Sequence, residues 1–179
     1  VEPGEHLAVV GRTGAGKSST LHLLAGLYAP WQGTVRVTGL DPRTLADSER
    51  RRVIGAVPQT VQLFQGAVRD NLTLGDPSVP EGAIRRAAEI TGAAHFIEAL
   101  PQGYQTRIGE HGSGLSVGQK QRLAVARARL RRAPILLFDE ATASIDTETA
   151  EDLARTISAL RGKATVVFIA HQLPRGLVV

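Results

Sequence analysis

Short hydrophobic runs of strand length recur along this chain, and most are followed by a glycine or polar break and then a helical pattern. "HLAVVG" (residues 6–11) predicts a buried strand running into a loop, with a helix over residues 17–26 after it. "GTVRVTG" alternates apolar and polar positions and predicts a strand, and "VIGAVPQ" predicts another that ends at Pro58. From about Val61 to Leu100 the pattern turns helical in "AVRDNLTL", "PEGAIRRAAEI" and "AAHFIEAL", separated by Gly and Pro. A glycine-rich connector, "GYQTRIGEHGSGLSVGQ", leads into a long helix from about Ser116 to Arg132. "PILLFDE" is a continuous apolar strand, residues 146–160 a helix, and "ATVVFIAH" a last strand. Strands alternating with helices predict an α/β fold with a mostly parallel sheet covered by helices. The helical stretch of about 61–128 reads as a subdomain inserted in a single domain, 1–179. No internal repeat or low-complexity linker interrupts it.

Composition narrows the chemistry. At 179 residues with 42% hydrophobic and 21% charged positions, the chain is long and apolar enough for a packed core. It has no cysteine, which excludes disulfides, thiolate metal sites and cysteine nucleophiles together. No apolar run approaches the length of a membrane-spanning helix, and the N-terminus carries no signal-peptide pattern. The chain starts at Val1 and contains no methionine, so it reads as a piece of a longer protein. A formal charge of +4, with 18 Arg against 3 Lys, leaves contact with nucleic acid or an anionic surface open.

The glycine break after the first strand is specific. Gly11-Arg12-Thr13-Gly14-Ala15-Gly16-Lys17-Ser18, followed by Ser19, completes GxxxxGK[ST] between a predicted strand and a predicted helix. Glycines let successive backbone N–H groups turn inward onto phosphate oxygens, and the helix N-terminus adds positive potential. Lys17 suits the β- and γ-phosphates, and the Ser18 hydroxyl suits a magnesium ion. A glycine turn with a solvated lysine would be the bland alternative. Near the other end, "PILLFDE" delivers Asp139 and Glu140 to the C-terminal end of a core strand, where ligands bind in open α/β sheets. Two carboxylates beside a core strand are costly unless a cation or a hydrogen-bond network uses them. Asp139 suits the surroundings of the magnesium, and Glu140 the orientation or deprotonation of an attacking water. Together the motifs imply a P-loop NTPase core of the RecA-like kind.

"LSVGQKQRLAVARA" (residues 115–128), about twenty residues before the acid pair, resembles the signature motif of the ATP-binding cassette (ABC) family, usually written LSGGQ. The resemblance extends to Gln59 in "VPQ" at the Q-loop position, Asp146 in "ASIDTET" at the D-loop, and His171 in "IAHQL" at the switch histidine. It implies that Glu140, His171, Gln59 and Lys17 are catalytic, and that Ser18, Gln59 and Asp139 hold Mg2+ around ATP. It also implies that Ser116, Gly118 and Gln119 contact an ATP held by the P-loop of a second ABC ATPase domain, in a head-to-tail dimer coupled through Asp146. A helix opening at Ser116 is physically suited to such a second anion site. "VPQTVQLFQGAVRDNLTLG" and "TRIGEHG", with Glu110, resemble segments of ABC exporters. In those proteins the ATPase lies behind a transmembrane domain in the same polypeptide, at the cytoplasmic face of the cell membrane.

Three departures accompany the resemblance. Val117 stands where the common motif has glycine, and a left-handed backbone there would strain it. Only ten residues precede Gly11, so the aromatic residue that stacks on adenine in the family has no counterpart; Tyr28 and Trp31 read as packing or loop residues. The family's segment beyond the switch histidine is almost absent. A nucleic-acid-associated ABC-type ATPase is a rival reading, motivated by Arg50-Arg51-Arg52 and by Lys120, Arg122, Arg127, Arg129, Arg131 and Arg132. The latter fall around more than one helix face, as on a solvated helix, and no aromatic platform accompanies them, so no nucleic-acid partner is expected. A catalytically silent nucleotide-binding fragment is the other rival.

Overall fold

The computed structural model describes residues 1–179. Four strands make one parallel sheet, and β1 (His6–Val10) and β2 (Ile54–Val57) are its first two in chain order. Numbered in chain order, the two short strands β3 (Gly66–Ala67) and β4 (Arg107–Ile108) pair antiparallel outside it, and β5 (Ile135–Asp139) and β6 (Thr165–Ala170) complete the main sheet in the order β1-β6-β5-β2. The helices are α1 (Lys17–Leu24), α2 (Asp47–Val53), α3 (Val68–Thr73), α4 (Glu81–Ile90), α5 (Ala94–Glu98), α6 (Val117–Leu130) and α7 (Thr147–Ser158).

Alternation along the central strands builds both faces of the core. In β5 and β6, Leu136, Phe138, Val166 and Phe168 belong to one hydrophobic cluster, and Leu137, Val167 and Ile169 to another. Residues two apart along a strand share a face, so each strand feeds both layers. The smaller cluster takes Leu21 of α1. The larger has 27 buried residues and also takes Leu123 and Val125 of α6, Leu153 and Ile157 of α7, Ile84 of α4 and Ile97 of α5. The helices of the middle of the chain therefore share one core with the sheet, and α6 links them. It lies against α3, α4, β2 and α7.

Several local expectations differ from the structure. "HLAVVG" forms β1, but at the end of the sheet only its His6 is buried, and Leu7 and Val10 are exposed. "GTVRVTG" forms no strand. Thr38 (φ 52°) and Gly39 (φ 84°) make a tight turn closed by reciprocal bonds between Val37 and Leu40, at 2.8 and 3.1 Å. Only Val37 of this stretch is buried, and β1 and β2 end the main sheet without a strand alongside it, so the alternation has no partner to pair with. Helix α2 was not predicted, because none of its residues is buried and it has no apolar face. Local polar contacts hold it instead: Glu49 accepts the Ala46 N–H at 3.0 Å, and Arg50 pairs with Asp47 one turn back. Trp31 packs on nothing and is 99% exposed, so only the loop half of the expectation for it stands.

The core predicts a sharp contrast. Phe138 is fully buried with its ring centroid 5.9 Å from that of Phe168. Phe138→Ala should lower the unfolding free energy by about 3–5 kcal/mol. Trp31→Ala should change it by less than about 0.5 kcal/mol. Urea melts followed by far-ultraviolet circular dichroism check both, since an exposed Trp31 reports little by fluorescence. Similar losses in the two variants would contradict the placement of the core.

Candidate nucleotide site

Each strand of the main sheet delivers site residues from its C-terminal end. β1 leads into the Gly11–Lys17 loop, β2 into Gln59, β5 into Asp139 and Glu140, and β6 into His171. Parallel order places these four ends on one edge.

The loop has the backbone that phosphate cradling needs. Gly14 (φ 81°) and Gly16 (φ 85°) are left-handed, which is strained for any other residue. A Cβ at either position would meet nothing within 4 Å, so the backbone conformation, and not crowding, restricts them. Lys17 is only 7% exposed. Its Nζ donates to the carbonyls of Gly11 at 2.9 Å and Arg12 at 3.0 Å, and lies 3.7 Å from Glu140 Oε1. Ser18 Oγ donates to Asp139 Oδ1 at 2.9 Å. A hydroxyl beside a carboxylate is a hard-oxygen donor pair of the kind that holds magnesium together with phosphate.

Glu140 is the centre of the other side of the cleft. Its backbone is left-handed (φ 47°), unusual for a side chain of this size, and is fixed by its N–H bonding to the Ile169 carbonyl at 2.9 Å. The carboxylate accepts from Gln59 Nε2 at 3.2 Å and lies 3.2 Å from His171 Nε2. That same nitrogen lies 3.1 Å from Thr13 Oγ1. Thr13, Gly14, Gly16, Lys17, Ser18, Ser19, Gln59, Glu140 and His171 line one cleft of about 490 Å3. Gly11 and Arg12 do not line it, but give their carbonyls to Lys17 and border a neighbouring cleft of about 880 Å3 that shares Glu140 and His171. Ala15 lines neither.

The remaining candidates stand elsewhere. Ser116 caps α6: its Oγ accepts the Gln119 N–H at 3.2 Å, and Gln119 Oε1 accepts the Ser116 N–H at 2.9 Å. With Gly118 they border a pocket of about 240 Å3 that shares no residue with the cleft at Lys17. Val117 begins the helix and is not left-handed, so the anticipated strain does not arise. Gly118 has a different constraint. A Cβ there would lie 2.7 Å from Thr149 Cγ2, so glycine lets α6 approach α7. Asp146 caps α7 by accepting the Thr149 N–H at 2.9 Å, and that bond holds its carboxyl below the ordinary range. The cap is thus present above the usual carboxylate range and is lost as pH falls through the lowered value. No group of three or more His, Cys, Asp or Glu side chains forms a metal cluster. The basic residues of α6 are not all solvated as expected: Arg122 donates to the Gly92 carbonyl at 3.0 Å, and Arg127 to those of Asn71 at 2.9 Å and Gln62 at 3.1 Å.

The geometry can be set beside known proteins. The sequence profile of the ABC transporter family matches residues 1–143. The chain belongs to the ABC transporter family. An ATM1-type heavy metal exporter from Novosphingobium aromaticivorans is 40% identical over 173 residues, 97% of this chain and 28% of that protein. The mycobactin import ATP-binding/permease protein IrtB from Mycolicibacterium smegmatis is 39% identical over 173 residues, 97% of this chain and 30% of that protein. A solved bacterial Atm1-family ABC exporter with ATP bound superposes with a TM-score of 0.87 at 40% identity, covering 97% of this chain and 30% of that one. The fold of this ABC chain is therefore the P-loop NTPase fold of such exporters, and it spans under a third of the length of these relatives. Family membership carries nucleotide binding with it. No helix is long and apolar enough to cross a membrane.

Close packing at Gly118 yields a prediction. Gly118→Ala should destabilise the fold by about 1–3 kcal/mol through overpacking. Thr149→Ser removes the opposing methyl and should recover most of that loss in the double variant. Urea melts of the four chains test this, and additive losses would contradict the contact.

Proposed function

We propose that this chain is the ATP-binding and ATP-hydrolysing domain of an ABC transporter of the exporter type. In this reading residues 1–179 form one ATPase domain with the helices of about 61–128 as its inserted subdomain. The observation that carries the reading is the arrangement at Glu140. Its carboxylate faces Gln59, His171 and Lys17 in the same cleft in which Ser18 is paired with Asp139. Exporter attachment is supported by the "TRIGEHG" and "VPQTVQLFQ" segments and by relatives named as exporters, although one relative is named for import.

The glycine loop and Lys17 bind the phosphates, with Lys17 exchanging its carbonyl partners for β- and γ-oxygens. Ser18, Asp139 and the carbonyl end of Gln59 would hold Mg2+, which would supply charge neutralisation to the phosphates. Glu140 orients a water and takes its proton as the water bonds to the γ-phosphorus and ADP leaves. His171 and Gln59 fix the rotamer of the Glu140 carboxylate. Ser116, Gly118 and Gln119 serve the nucleotide of a second ABC ATPase domain, head to tail, with Asp146 near that contact. Their pocket is separate from the P-loop cleft of the same chain, which supports a site shared between two chains. A transmembrane domain, N-terminal in the same polypeptide, places the pair at the cytoplasmic face of the cell membrane.

Binding and chemistry should separate. Lys17→Ala should weaken MgATP binding by about tenfold or more, because it removes charge-assisted contacts. Glu140→Gln should leave the affinity within about threefold and reduce turnover by about 100-fold or more. Titration calorimetry and phosphate release in the full-length polypeptide decide it. Normal turnover in Glu140→Gln would remove Glu140 from the base role.

Sharing of the site is tested by mixing. Lys17→Ala and Ser116→Arg each break both sites of a homodimer, whereas a mixed dimer joins a healthy loop to a healthy signature at one site. Random mixing makes about half the dimers mixed, so about a quarter of wild-type sites should return, counted as trapped nucleotide. No recovery, with mixed dimers verified, would contradict the head-to-tail arrangement.

A further inference from the structure

Helix α6 does more in this structure than present Ser116 at its N-terminus. Five residues along, Gln121 is 98% buried, and its Nε2 donates to the Gln59 carbonyl at 2.9 Å. One and a half turns further, Arg127 donates to the Gln62 carbonyl at 3.1 Å and to the Asn71 carbonyl at 2.9 Å. The Asn71 side chain in turn closes the loop that follows, accepting the Phe64 N–H at 3.0 Å and donating to the Phe64 carbonyl at 2.9 Å. The segment from Gln59 to Phe64 has no regular secondary structure, and Gln59, Thr60 and Gln62 are exposed. Its backbone is thus held at two points by one rigid helix. At the first of those points the same residue, Gln59, reaches Glu140 with its side chain.

Gln121 is poorly explained by stability. Its Oε1 is buried with no hydrogen-bond partner among the atoms of the chain, so the grip on Gln59 is the only bond its side chain makes within the protein. A buried amide left half-satisfied costs free energy that a leucine of similar size would not. The Gln59 carbonyl belongs to an exposed residue, and Gln59 and Gln121 border the same cleft of about 360 Å3.

We propose that Gln121 is a positioning residue: through the Gln59 backbone it sets the reach of the Gln59 side chain onto Glu140, tying the position of the α6 N-terminus to the catalytic carboxylate. This rests on the reading of Glu140 as the base. A shift of α6 is then a shift of Gln59, because a helix moves as a body and the Gln121 bond joins the two directly at 2.9 Å. Occupation of the Ser116 end and readiness of Glu140 become linked through two side chains of this chain. Arg127, pushed below its ordinary value first by burial and then by the charge of Arg131, anchors the far end of the segment, so that motion at Gln59 is not absorbed by slack at Gln62.

The test uses Gln121→Leu in the full-length polypeptide, alone and with Gln59→Ala. Gln121→Leu is expected to lower kcat by about tenfold, the worth of one hydrogen bond, with KM for ATP within about twofold. The melting temperature should not fall, because an apolar side chain replaces a half-satisfied amide. In the Gln59→Ala background the same change should cost nothing further, since Gln121 acts through Gln59. A nitroxide on Thr60→Cys reads the grip itself, in a stretch of 179 residues that holds no cysteine to compete. Its spectrum should sharpen when Gln121 becomes leucine. Unchanged turnover, an additive loss with Gln59→Ala, or a lowered melting temperature with a proportional loss of activity would overturn the proposal. Should Glu140→Gln prove fully active, the base reading fails by itself. The nitroxide then decides for Gln121, with an unchanged spectrum counting against the grip and a sharpened one for it.

Discussion

Lys17 carries a positive charge into a place where 7% of the residue is exposed. A buried ammonium is tolerable only when fixed partners replace water. Here they are the carbonyls of Gly11 and Arg12, with Glu140 at 3.7 Å. The carbonyls converge on one atom only because the loop curls back, and the curl requires the left-handed backbones of Gly14 and Gly16. Within the curl the Ala15 N–H donates back to the Arg12 carbonyl at 3.3 Å. One constraint therefore explains the spacing of the glycines and the position of the lysine.

The sheet supplies the rest by topology. Parallel pairing in the order β1-β6-β5-β2 brings residues more than 120 positions apart in the chain, such as Ser18 and Asp139, within hydrogen-bonding distance. The central strands β5 and β6 are mostly buried, with Phe138 and Phe168 fully inaccessible, so their ends are held by a core with little freedom to move. The left-handed turn at Glu140 stores strain beside the cleft, and the Ile169 carbonyl holds it there. Across the molecule, α6 joins this rigid edge to the helices of the middle segment.

Much of this was legible in residue order. The four main strands, α1 and the helices α3 to α7 are marked by apolar runs or faces, although only His6 of β1 is buried. The loop at Gly11 and the acid pair follow from residue types at fixed spacing, and the cleft brings Lys17, Ser18, Glu140, Gln59 and His171 together, with Asp139 bonded to Ser18. Other features leave no such trace. Helix α2 buries nothing, so no pattern marks it. "GTVRVTG" has the alternation of a strand but no neighbour to pair with. The reason for glycine at position 118 lies in Thr149, thirty-one residues away. Arg122 and Arg127 look like solvated charges until the carbonyls they hold are seen. Gln121 gives no signal in sequence beyond its place in the signature helix, since its partner is a backbone atom of Gln59. Contacts between side chain and distant backbone are invisible to periodicity.

A competition titration of ATP, ADP and AMP, each with Mg2+, tests most directly that the cleft at Lys17 is built for phosphates. ATP and ADP offer Lys17 and the glycine loop the oxygens they are placed to meet, and AMP lacks them. Losing two charge-assisted contacts predicts that AMP binds about 100-fold more weakly than ATP. AMP binding as tightly as ATP would contradict the cleft's assignment to the phosphates.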